Sequence, residues 1–165
     1  MKELQAGFIY EEYESINELN ATDAMLMNKA RAVTKYAYAP YSHFNVGATA
    51  LLKNGSFING TNQENASYPI GICAERVLLS SASSQFPGEA IEAIAISYYN
   101  ENGTSDQPVS PCGICRQTLV EYEERQEGSI RLILGGQEGK ILIIPKSSML
   151  LPLGFGSEDL KLHLP

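Results

Sequence analysis

Between Phe44 and Lys53 apolar residues alternate with their neighbours: Val46, Ala48, Ala50 and Leu52 fall on one side of an extended chain. Asn54-Gly55 follows, a dipeptide that strongly signals a tight hairpin. Ser56 to Thr61 is therefore expected to return as a second strand. The period then changes. Ala74, Val77, Leu78, Ser81 and Ala82 recur at the spacing of one helical face, in a helix that starts near Cys73 and is stopped by Phe86-Pro87-Gly88. Ile91 to Tyr98 is dense in Ile and Ala, the pattern of a strand covered on both sides. A polar loop at 100–111 precedes a helix from about Cys112 to Glu124 and strands at 130–134 and 141–144. Upstream, Thr22 or Asp23 is the expected cap of a first helix that runs to about Tyr38, before Pro40. Helices alternating with strands predict an α/β sandwich around a mixed sheet. Residues 145–165 are rich in Leu, Pro and Gly and are expected to wrap the surface.

The first 21 residues read as an acidic extension, with 22–165 as the folded domain. Glu3, Glu11, Glu12, Glu14 and Glu18 interrupt every apolar stretch there, unlike a secretory leader. A chain of 165 residues with 44% hydrophobic positions is long enough to bury one core. Its net charge of −7 repels phosphate backbones, and no Lys/Arg cluster offsets it, so a nucleic-acid polymer is not an expected partner. No apolar run approaches the roughly 20 residues of a membrane span. The three cysteines are odd in number and include a C-x-x-C pair, which argues against a disulfide framework and for a reducing cytoplasm.

Those cysteines carry the chemistry. They stand as Cys73-Ala74-Glu75-Arg76 and Pro111-Cys112-Gly113-Ile114-Cys115. Three thiolates can hold one Zn²⁺ and leave its fourth position open, as a catalytic site requires; structural sites are usually closed by four ligands. A glutamate two residues after the first ligand, with Pro-Cys-x-x-Cys downstream, is the arrangement of zinc deaminases acting on nucleobases, where the glutamate moves protons. Both ligand groups lie at expected helix starts, whose partial positive charge stabilises thiolate. Three thiolates and a hydroxide still outweigh a divalent cation. Arg76, on the same helical face as Cys73, is expected to hydrogen-bond the sulfurs and restore the electrophilicity of the metal. A C-x-x-C taken alone would equally suit a structural half-site or a redox pair. Cys73 with Glu75 separates the deaminase pattern from both.

Five segments resemble the short cytidine deaminases whose zinc ligands are all cysteine. They are the stretch at 37–48 containing Pro40-Tyr41-Ser42-His43-Phe44-Asn45-Val46-Gly47-Ala48, Asn62-Gln63-Glu64-Asn65-Ala66-Ser67-Tyr68, Cys73-Ala74-Glu75-Arg76, the stretch at 108–117 ending Cys115-Arg116-Gln117, and Leu151 to Leu160. The resemblance covers roughly residues 22–160. It implies a three-layer α/β/α sandwich with a mixed five-stranded sheet, and hydrolytic deamination of cytidine and 2′-deoxycytidine in pyrimidine salvage. It implies one zinc per subunit on Cys73, Cys112 and Cys115, and Glu75 as the residue that carries a proton from water to N3 of the base. Ala74 matches the segment that meets the pyrimidine edge, Asn62 and Glu64 the pair that grips the ribose 3′-hydroxyl, and Phe44 an aromatic contact to the nucleoside. Gln117 matches a partner of the zinc cluster. The resemblance further implies a homotetramer in which Phe155 reaches a neighbour's pocket. Leu150, Leu151, Leu153 and Phe155 are much apolar surface for a tail; folding back onto their own core is the alternative.

Two histidines stand outside this chemistry. His43 occupies a position that is cationic in many relatives and reads as a surface or packing residue, and His163 has no partner motif. The loop at 100–107 is longer than usual for the family. A blasticidin S-type deaminase is the nearest rival, disfavoured by Arg76 and by Asn62-Gln63-Glu64. Editing deaminases of tRNA or DNA resemble a pattern with histidine at the first ligand position, where this chain has Cys73. A non-catalytic zinc or nucleoside-binding protein would have no use for Glu75.

Overall fold

The computed structural model describes residues 1–160, so His163 lies outside the described residues. Six strands form one sheet: β1 (Glu11–Tyr13), β2 (Phe44–Leu52), β3 (Phe57–Thr61), β4 (Ile91–Asn100), β5 (Arg131–Gly135) and β6 (Ile141–Ile144). Their order is β1-β6-β5-β4-β2-β3. Only β4 and β5 run parallel; every other pairing is antiparallel. The helices are α1 (Ala21–Val33), α2 (Ala74–Gln85) and α3 (Gly113–Arg125).

Strand β4 explains the layering. Ile94 and Ile96 point to one face and join Leu78, Leu79 and Leu119 of α2 and α3. Ala93 and Ala95 point to the other and join Leu26, Met27 and Ala30 of α1. Alternation along one strand thus feeds two cores, and the sandwich has three layers. The hairpin falls where expected: Gly55 adopts φ +83° and Leu52 N–H donates to Ser56 O at 2.9 Å.

Two glycines of the central hairpin set how closely the helices approach. A Cβ at Gly60 would collide with the Ala74 carbonyl and Leu78 of α2. One at Gly47 would collide with the Ala30 carbonyl, Thr34 and Val33 beside α1. Their absent side chains let each helix lie directly on the backbone of the sheet.

The sheet departs from the five strands expected. The sixth is β1, in the acidic extension, which pairs Glu11–Tyr13 with Ile143–Ile141. The backbone pairing needs no apolar alternation, so the sequence pattern hides it. Lys140 Nζ holds Glu12 at 2.6 Å and Glu14 at 3.4 Å, while Tyr13, Ile16 and Leu19 pack on the α1-side core. The first helix is capped by Asn20, not Thr22 or Asp23: Asn20 Oδ1 accepts from Asp23 N–H at 3.0 Å. Asp23 is instead fully buried in a two-pronged pair with Arg131 Nη1 and Nη2, at 2.7 and 2.6 Å. The first helix also stops at Val33, and Thr34–Tyr36 continues as a 3₁₀ turn. Among the described residues, no helix is long and apolar enough to cross a membrane.

Candidate active site

Cys73 and Cys112 are the N-cap residues of α2 and α3, and Cys115 lies in the first turn of α3. Two helix N-termini therefore meet over the sheet, aiming unpaired N–H groups and partial positive charge at one point. The Sγ atoms of Cys73 and Cys112 are 3.8 Å apart, those of Cys112 and Cys115 3.5 Å, and all three lie within 4.8 Å of one another. Zn–S bonds of about 2.3 Å in tetrahedral geometry place sulfurs about 3.8 Å apart. The trio fits a zinc ion.

The electrostatics of the trio agree. Hydrogen bonding from Cys115 lowers the Cys73 thiol to about 6, with Cys112 and the Arg76 charge helping against burial and Glu75. The hydrogen bond to Cys73 pushes Cys115 strongly the other way, reinforced by burial and nearby negative charge. Three crowded sulfurs cannot all ionise without a cation among them. Arg76 is half-buried and acts on Cys73 through its charge. It makes no hydrogen bond to a sulfur among the described residues, so the support expected of it is electrostatic here.

The chain buries three acids among its described residues: Asp23, Glu75 and Glu123. Asp23 is paired with Arg131 and Asn20. Glu123 accepts from the backbone N–H groups of Ile130, Ser147 and Ser148 at 2.8, 2.9 and 3.3 Å. Among the described residues, Glu75 has neither a cation nor a backbone donor from another residue. Burial raises its carboxyl above the usual value, and only its own N–H and the Cys115 thiol oppose this. It is a desolvated acid whose charged form burial disfavours.

Glu75 opens, together with Cys73, Ala74 and Cys112, into a cavity of about 310 Å³. Phe44, Val46, Asn62 and Ile96 close it from the sheet, and Val109 and Ser110 from the loop before α3. Phe44 stacks on Tyr98 with ring centroids 4.7 Å apart and 15° between planes. The cavity thus presents an aromatic and aliphatic wall opposite a thiolate cluster and a buried acid, suited to a flat heterocycle.

A family model for the zinc-binding region of cytidine and deoxycytidylate deaminases matches residues 20–126, which contain all three cysteines and Glu75. The chain belongs to this deaminase family. It is 40% identical over 136 residues to the cytidine deaminase of Halalkalibacterium halodurans, a match covering 82% of this chain and 96% of the relative. With the cytidine deaminase of Sporosarcina psychrophila it shares 36% identity over 135 residues, 82% of this chain and 92% of the relative. The crystal structure of cytidine deaminase from Burkholderia pseudomallei superposes with a TM-score of 0.69 at 34% identity, covering 83% of this chain and 100% of that one. Zinc is accordingly the cofactor of this deaminase, on the one cysteine trio able to hold it among the described residues.

The remaining sequence-derived residues divide. Phe44, Asn62 and Ala74 line the cavity with Glu75. The Asn62 amide is already engaged with β2: its Oδ1 accepts from Val46 N–H at 2.7 Å and its Nδ2 donates to Phe44 O at 2.9 Å. Glu64 lies in a neighbouring hollow with Tyr41, Ser42 and Tyr68. Burial resists its ionisation, but the Ser42 hydroxyl and the Tyr41 and Ser42 N–H groups win and hold its carboxyl below the usual value. Gln117 Nε2 donates to Phe155 O at 2.7 Å. Leu150 is buried in the core, whereas Leu153 and Phe155 are exposed, so the tail folds back only in part.

Sequence reasoning passed over three residues of this deaminase that shape the site. Gly60 lets the first turn of α2, with its ligand, rest on β3. Arg116 ties the Pro111 carbonyl (2.8 Å) to the Leu150 carbonyl (2.9 Å), fixing the entry to α3. Glu123 anchors the start of β5 and the turn at 147–150. Such roles depend on distant partners; only the glycine before a predicted helix contact offered a local signal.

Proposed function

We propose that this deaminase hydrolyses cytidine and 2′-deoxycytidine to uridine and 2′-deoxyuridine with release of ammonia, a step of pyrimidine salvage. The observation that carries the reading is the buried Glu75 beside three converging thiols, at a cavity it lines with Cys73 and Cys112. Zinc held by Cys73, Cys112 and Cys115 supplies Lewis acidity when bound, making water a nucleophile near neutral pH. Glu75 takes a proton from the attacking water and delivers it to ring N3. The oxygen adds to C4, turning the ring carbon tetrahedral. Glu75 then carries the second proton of that water to the amino nitrogen, the C4–N bond breaks, and ammonia leaves. Glu75 ends ionised and ready for another cycle. Its burial suits both halves, since a carboxyl raised by desolvation accepts a proton more readily than a surface one.

Phe44 and Val46 face the base, and Ala74 presents its backbone to the pyrimidine edge. Asn62 and Glu64 hold the ribose 3′-hydroxyl. For Glu64 this requires the sugar to extend towards the hollow at Tyr41 and Ser42. Arg76 compensates thiolate charge. The protein assembles as a homotetramer, with exposed Phe155 packing in a neighbour's cavity and Gln117 holding the segment that presents it. Residues 1–21 are an added segment whose second half, Glu11 to Asn20, completes the sheet edge and caps α1.

The test is ammonia release from cytidine, deoxycytidine and blasticidin S by the purified, zinc-loaded protein. Turnover of both nucleosides and not the antibiotic is expected. Turnover of the antibiotic alone would move the substrate, and no turnover with zinc bound would overturn the reading.

A further inference from the structure

The backbone carrying Phe44 is held from several sides. Phe44 N–H donates to Ser42 Oγ at 3.1 Å, and its carbonyl accepts from Asn62 Nδ2 at 2.9 Å. The residues flanking it meet a single carboxylate. Glu101 Oε2 lies 3.1 Å from His43 Nδ1, and Glu101 Oε1 accepts from Asn45 Nδ2 at 2.9 Å. Glu101 N–H also donates to His43 O at 3.0 Å. Side chains alternate along β2, so Asn45 reaches Glu101 on one side while Phe44 faces the cavity on the other, and His43, just before the strand, reaches the same carboxylate. His43 sits at φ +57°, a conformation that a residue with a side chain holds only when its surroundings impose it.

We propose that Glu101 is a positioning residue: its forked carboxylate grips both neighbours of Phe44 and so fixes the ring that walls the cavity. Tyr98 beneath Phe44 is only 5% exposed and is a fixed platform. The orientation of Phe44 over it therefore depends on the anchor of its own backbone. Glu101 directly follows β4, the strand that carries Tyr98. An ordinary surface pair would join one cation to one acid; here each carboxylate oxygen takes a different residue, and those two residues bracket a cavity-lining aromatic. With Phe44 loosened, the cavity must order it at the moment of binding, which weakens substrate affinity while leaving the reacting groups in place.

The proposal rests on the cavity being the nucleoside site. The experiment compares wild type, Glu101→Ala and Glu101→Gln by KM and kcat for cytidine, and by amide hydrogen exchange at residues 43–46. Glu101 is half-exposed, so both variants are expected to fold. Loss of the fork in Glu101→Ala should raise KM about tenfold with kcat within about twofold, and should speed exchange at His43 and Phe44. Glu101→Gln retains an acceptor for Asn45 and a donor for neutral His43, and should stay within about twofold of wild type. Unchanged KM and exchange in Glu101→Ala would overturn the proposal. So would equal impairment of both variants, since charge rather than the fork would then matter. Should wild type not turn over cytidine, the functional reading fails, while the exchange rates still decide whether Glu101 holds the segment.

Discussion

On the α1 face of the sheet the buried acid, Asp23, is saturated by Arg131 and Asn20. On the α2–α3 face Glu123 is saturated by backbone N–H groups, but among the described residues Glu75 meets only its own N–H and the Cys115 thiol. The same contrast runs through the glycines. Gly47 lets α1 close on one side of the hairpin and Gly60 lets α2 close on the other, yet only α2 brings Cys73 and Glu75 with it. Matching construction on both faces thus supports chemistry on one alone. What distinguishes the faces is a buried acid held only by its own N–H and a thiol, beside three sulfurs placed to hold a zinc ion.

Breaking the saturated face should cost stability and leave chemistry intact. Asp23→Ala strands a partly buried guanidinium and should destabilise the fold by about 3 kcal/mol, with kcat of the folded protein unchanged. Denaturant melts alongside kinetics below the transition check this; a fall in kcat would tie the α1 face to catalysis.

The two glycines sharpen the comparison further. Gly47→Ala and Gly60→Ala should each cost about 1–3 kcal/mol from overpacking. Only Gly60→Ala should also lower kcat/KM, by about tenfold or more, because it displaces the turn bearing Cys73 and Glu75. Equal kinetics in both variants would mean that the site tolerates movement of α2.

Arg76→Ala probes the charge balance of the sulfurs. Zinc affinity should fall about tenfold, measured by competition with a chelator, while the melting temperature of the zinc-free protein stays put. Unaltered affinity would leave Arg76 a bystander. The smallest effect is expected at the outer edge. Lys140→Ala removes an exposed pair with Glu12 and Glu14, and neither melting temperature nor turnover should change measurably.

Most of the site was legible in the sequence because its parts are local. Cys73 and Glu75 share one helical turn, Cys112 and Cys115 another, and helix starts are signalled by nearby residues. Alternation from Val46 to Leu52, the Asn54-Gly55 turn and the mixed Ile/Ala composition of β4 likewise declare themselves within short windows. Strand β1 escaped because Glu11 and Glu12 join the sheet through backbone bonds that any side chain permits. Asp23 looked like a helix cap because its partner, Arg131, lies far along the chain, and the neighbouring Asn20 took that role. The partners that Gln117 and Glu64 take could not be read locally, because where an amide or carboxylate turns depends on the loops around it. Here those loops are the Phe155 segment and the Tyr41–Ser42 turn.

In the proposed mechanism Glu75 moves the proton and does not build the site. Glu75→Gln keeps the shape and removes the base. Zinc content per chain, the thermal transition and the rate of ammonia release from cytidine, measured on the same preparation, test it directly. One zinc per chain, an unshifted or slightly raised transition and a rate lowered by about 10³-fold are expected. A rate near that of wild type would contradict the account, and loss of zinc would show that Glu75 holds the site together instead.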